Sequence, residues 1–148
     1  MRWRHALVAV LFGSIWPGAL AHAQTQCKKA DFEAVVDEAA AALRDLNLEK
    51  KPAFQDKLRQ LKDKRGWSHD EFLDKAAPFV RDEEIAVYDR KSEELLSTIS
   101  TMGQEGAEAR QPDCALLLEL RARMKVLVET QTAKWDYMFS KLDMELWK

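Results

Sequence analysis

Residues 113–147 read DCALLLELRARMKVLVETQTAKWDYMFSKLDMELW. Leu117, Leu120, Met124, Leu127, Val128, Trp135, Met138, Leu142 and Leu146 return at helical intervals, the spacing that gathers apolar side chains on one face of an α-helix. Charged residues fill the positions between them. Asp113 stands directly ahead, with a side chain suited to accept hydrogen bonds from the first free N–H groups of a helix. One helix of some thirty residues is expected, about 45–50 Å long at about 1.5 Å per residue. It serves either as a spine for shorter helices or as a rod whose last turns project. If they project, the aromatic stretch from Trp135 to Trp147 becomes a dimer or partner surface.

Upstream, residues 103–112 carry two glycines and a proline and read as the longest loop. Before them Ile85, Tyr88, Leu95, Leu96, Ile99 and Met102 share a face, and Asp82-Glu83-Glu84 suit the positive N-terminal end of that helix. Ser68-His69-Asp70-Glu71 matches the S-x-x-E capping box and opens a short helix with Phe72, Leu73 and Ala76, ending near Pro78. Pro52 is placed to begin another helix, with Phe54, Leu58 and Leu61 on one side and Gly66 as a left-handed stop. Residues 29–47 make the first helix, striped by Phe32, Val35, Val36, Ala39, Leu43 and Leu46. No segment alternates as a strand does. The expected fold is all-α, an antiparallel bundle of four to five helices with a long C-terminal member.

The chain has 148 residues, 47% hydrophobic and 32% charged, which is enough apolar material for a core and too much for a disordered tail. Lys and Arg number 23 against 25 Asp and Glu, so no overall basic field points to nucleic acid.

Residues 1–23 read as a secretory signal peptide. Arg2 and Arg4 supply the positive start, residues 6–16 the apolar run, Pro17-Gly18 the helix break, and Ala21-His22-Ala23 a small-x-small cleavage site. A lasting membrane anchor needs about 17–25 apolar residues, more than this run provides. Arg2-Trp3-Arg4 is not a twin-arginine pair, so Sec export is expected. Cys27 follows Gln24-Thr25-Gln26 and lacks the small residues that precede a lipidated cysteine. The expected product is a single domain, residues 24–148, in the periplasm without a stable membrane anchor.

Export changes the meaning of the two cysteines. In an oxidising compartment Cys27 and Cys114 are most economically one disulfide, since they lack C-x-x-C spacing and the mature chain has only His69 as an imidazole. Closing so long a loop stabilises by about 4–5 kcal/mol in the chain-entropy account. Both cysteines sit at the N-termini of predicted helices, so those helix starts must meet. Counting the short helix from Ser68 as a bundle member makes the last helix the fifth and parallel to the first, which allows the bridge.

Chemistry is sparse. His69 falls in a first helical turn, where a solvated residue is expected. The haem attachment signature C-x-x-C-H is absent, and the spacing sets no methionine opposite His69. Asp70 and Asp74 are four apart, but the Glu-x-x-His pairs of di-iron bundles are missing. No phosphate loop, nucleophile elbow or H-E-x-x-H occurs. The expectation is therefore no cofactor, no metal and no catalysis, with a small-ligand or haem/metal carrier as the alternative.

The most distinctive surface lies at residues 57–67, where Lys57, Arg59, Lys62, Lys64, Arg65 and Trp67 accompany an inward leucine stripe. With Trp135 and Trp147 it makes the expected interaction surface, for an envelope protein, an anionic envelope component or a second copy of the chain. Ser92 and Gln131 interrupt the apolar stripes and are expected to be satisfied core polar groups.

Overall fold

The computed structural model describes residues 26–148, so the predicted leader, residues 1–23, lies outside the described residues. Four helices follow in order: α1 Lys29–Arg65, α2 His69–Val80, α3 Glu83–Glu108 and α4 Cys114–Trp147. The described chain is an all-α bundle with a long C-terminal helix and a Cys27–Cys114 disulfide. No described helix is long and apolar enough to cross a membrane.

Local signals set most of the helix starts. Asp113 accepts from the N–H groups of Ala115 and Leu116, at 2.9 and 3.1 Å. Ser68 and Glu71 bond each other's backbone N–H in a complete capping box. Asp82 accepts from the Ile85 N–H at 2.7 Å, and Gly66 ends α1 in the left-handed region.

Two predicted breaks are corrected. The first helix does not stop near residue 47, because α1 runs unbroken through Pro52. Proline removes one backbone hydrogen bond and crowds the carbonyl four residues earlier. Here that carbonyl belongs to Leu48, itself 69% exposed, on a face where water can satisfy it. Buried Phe32, Val35 and Ala39 lie before the proline and Phe54, Leu58 and Leu61 after it, in one helical phase against the rest of the bundle. The short helix expected to end near Pro78 does so, as α2 closes two residues later at Val80. The second correction is the expected loop at residues 103–112. Helix α3 passes through Gly103 and Gly106 to Glu108, leaving only residues 109–113 as connector.

Packing explains that second extension. Gly106 is buried against Phe32, and a Cβ at position 106 would sit 2.2 Å from the ring's Cδ1. The missing side chain lets α3 approach α1 closely enough for the buried phenylalanine to fill the gap. That contact outweighs glycine's helix penalty of about 1 kcal/mol.

The connectivity differs from the expected count, while the key geometry holds. Helices α1 and α4 are parallel: Cys27 meets Cys114, Asn47 meets Trp135, and Arg65 meets Glu145. Helix α3 runs against both, with Gly106 beside Phe32 and Ser92 beside Gln131. The two predicted helices of residues 29–66 are one, and short α2 turns the chain at the far end without traversing the bundle. Those two departures from the five-helix count cancel, so the bridge closes with Cα atoms 5.5 Å apart.

The core has two parts. Near the cystine, Phe32, Val35, Ile99, Leu117, Leu120 and Leu127 pack together with their neighbours. At the far end Phe54, Leu61, Phe79, Ile85, Met138 and Leu142 do the same. A polar layer separates them. Gln131 donates to Ser92 Oγ at 2.6 Å, Ser92 donates to the Tyr88 carbonyl at 2.8 Å, and Trp135 Nε1 donates to Asn47 at 3.2 Å. Ser92 and Gln131 are thus a satisfied pair, as their place in the stripes suggests.

Candidate functional site

The predicted basic surface is largely engaged within the molecule. Lys57 pairs with Asp143 of α4 and Arg59 with neighbouring Asp56. Lys62 lies 5.8 Å from the centre of the Phe72 ring. Lys64 donates to the Leu146 carbonyl, while Arg65 donates to the Glu145 carboxylate at 3.0 Å and to its carbonyl at 3.2 Å. Trp67 is half-buried against the far core. The parallel arrangement gives this pattern its cause. Helices α1 and α4 both end at the far pole, where unpaired carbonyls gather negative potential, and cations near a C-terminus offset it.

The two predicted tryptophans of α4 part company. Trp135 is half-buried in the polar layer, edge-on to Phe54 with ring centres 5.8 Å apart. Trp147 is 89% exposed at the far end. Helix α4 acts as a spine along its length, tied to α1 as late as Glu145.

A second cluster joins three helices at that end. Asp82, between α2 and α3, accepts from Tyr137 at 2.8 Å and pairs with Lys141, which also donates to the Pro78 carbonyl. Burial favours the neutral acid, but the Ile85 N–H, the Lys141 ammonium and the Tyr137 hydroxyl outweigh it and hold the Asp82 carboxyl down at about 2. The same bond pushes the Tyr137 hydroxyl up. This cluster fixes α2 and the start of α3 on α4.

His69 is exposed at the start of α2, while Met102 and Met124 lie in the cystine-end core and Met138 in the far core. Among the described residues no three His, Cys, Asp or Glu side chains gather as a metal site.

A recess lies elsewhere, in a place the sequence reading assigned partly to a loop; a larger one, of about 860 Å³, surrounds the cystine. A groove of about 580 Å³ runs between α1 and α3 and is lined by those two helices alone. Its accessible apolar surface comes from half-buried Val36 and exposed Leu96, over buried Phe32 and Ile99, and Ser100, Gly103 and Ala107 keep it shallow-walled and open. Leu96 is 50% exposed there. Glu33 and Asp37, four apart on α1, stand on its edge with Gln104 of α3. Among the described residues neither acid forms an ion pair. The signal that marks this groove in the sequence is Ser100, Gly103 and Ala107 recurring at helical spacing beside a non-core leucine. Taking the two glycines as a loop hides it.

Charge divides along the same line. Helix α3 carries seven acids against two bases, and residues 29–47 of α1 carry five against two. The rest of the described chain carries seventeen bases against thirteen acids. The groove therefore opens on the acidic side of the molecule. No family model, curated protein or solved structure matches this chain, so its function is read from its own geometry.

Proposed function

We propose that this is an exported, periplasmic binding protein that holds a helical segment of another protein in the α1–α3 groove and acts by that contact rather than by catalysis. The carrying observation is the groove itself: an apolar floor with small residues, bounded by two long helices, in the position where a further bundle helix would pack. Helix-in-groove recognition needs such a trough, with room for anchors at i, i+3, i+4 and i+7 of the bound helix. The signal-peptide reading of residues 1–23 supports export, and a single disulfide suits an oxidising compartment. The internal pairing of Lys57, Arg59 and Arg65 weighs against the basic helix as the main contact surface.

A photoreactive residue at position 96, inside the groove, tests this against one at exposed position 118 on α4, outside it. Irradiation in living cells should give a discrete adduct from position 96 alone, lost when Gly103→Leu fills the floor. Equal adducts from both positions, or an adduct that survives Gly103→Leu in a folded protein, would overturn the proposal. An adduct of twice the chain's mass would assign the groove to a second copy and overturn it as well.

A further inference from the structure

We infer that the helix received by the α1–α3 groove is cationic: an amphipathic segment of a partner protein whose apolar stripe is flanked by lysine or arginine. This rests on the groove-binding reading above and names the partner chemistry it leaves open. Glu33 and Asp37 project from one face of α1 at i and i+4, a spacing at which like charges repel and weaken a helix. Neither forms an ion pair among the described residues. They border the apolar floor made by Val36, Ile99 and Gly103. A lysine or arginine beside the apolar stripe of a docked helix would meet them at the edge, where the contact stays partly hydrated and the residues pay no full desolvation.

The wider field acts in the same sense. Both groove walls belong to the acidic part of the molecule, with α3 at seven acids to two bases. Such a surface attracts a positive segment before contact and repels an acidic one. Size agrees. From Leu96 to Ala107 the wall rises through about 16 Å at about 1.5 Å per residue, which fits a docked helix of about three turns. Ser100, Gly103 and Ala107 carry little side chain, so the backbones can approach closely and the guest needs only medium-sized apolar anchors.

The test uses the oxidised protein recovered from the periplasm and three synthetic fourteen-residue amphipathic peptides. They share one leucine–alanine stripe and carry lysine, glutamine or glutamate on the flanks. Binding is read by fluorescence anisotropy at low and high salt, and the site by backbone amide shifts. The lysine peptide should bind about tenfold or more tightly than the glutamine peptide at low salt, and the glutamate peptide most weakly. Its shifts should centre on Ser100, Gly103 and Ala107. Glu33→Gln with Asp37→Asn, both at an exposed edge, should remove the lysine preference and leave the glutamine peptide's affinity unchanged. If all three peptides bind the groove equally, the cationic inference fails and the groove reading stands. If no peptide binds, or the shifts fall on another surface, both fail. A lysine preference that survives the double substitution would also overturn the inference.

Discussion

Gly106 and Gly103 lie three residues apart on one helix and have opposite duties. At 106 an added methyl would stand 2.2 Å from the Phe32 ring, which is 1% exposed and has nowhere to turn. At 103 the nearest atom is Val36 Cγ2 at 4.0 Å, an ordinary contact. Gly106→Ala should therefore destabilise by about 1–3 kcal/mol through overpacking, after any helix-propensity gain. Gly103→Ala should stabilise by about 0.5–1 kcal/mol, since only the propensity gain remains. Urea denaturation of the two variants beside the parent gives both numbers. The reverse order would remove the close approach of α3 to α1.

At the scale of elements, the junction of α2, α3 and α4 depends on one carboxylate. Asp82 caps α3, accepts from Tyr137 and pairs with Lys141, and its carboxyl is held at about 2 against an ordinary 3.8. A folded-state value below the unfolded one contributes stability above about pH 4, lost as the pH falls toward 2. The urea midpoint should fall across that window in the parent and fall less in Asp82→Asn, because asparagine keeps the cap but has no charge to lose. The same ends of elements were the legible ones. Asp113, the Ser68–Glu71 box and Gly66 announce themselves because each acts on backbone groups two or three residues away. Pro52, Gly103 and Gly106 mislead because their local preference is overruled by distant partners: Phe32 for Gly106, and the apolar stripe on both sides of Pro52. Lys50 deepens the error at Pro52. It occupies an inward phase position with a lysine, so the stripe looks broken where the helix is not.

At the scale of the molecule, the described residues form a parallel pair, α1 and α4, with α3 running back against both and short α2 at the far end. The disulfide joins the pair at one pole, and Arg65 with Glu145 joins it at the other. The two are far from equal: a half-exposed ion pair is worth about 0–1 kcal/mol, whereas the covalent closure of 87 residues is worth about 4–5 kcal/mol. Against a usual domain stability of about 5–15 kcal/mol, that is a large share. Cys27→Ser with Cys114→Ser should lower the unfolding free energy by about that amount, measured by denaturant titration. Hydrogen exchange should quicken first near residues 29–39 and 114–120, beside the lost bond. The groove lies at this same pole, so the serine variant should also bind the lysine-flanked peptide proposed for it less well. The bundle and the bridge were readable from stripes and cysteine spacing. The groove was not, because it arises only when two helices distant in sequence are set side by side.

The separation of 87 positions between the joined cysteines also shapes how the molecule comes into being. If the chain enters an oxidising compartment amino end first, Cys27 arrives as an unpaired thiol and stays so until position 114 has emerged. Since the chain has only two cysteines, no incorrect crosslink is available within it. A hazard in that interval is exchange with a thiol or disulfide outside the chain, including the same cysteine of a neighbouring newborn copy.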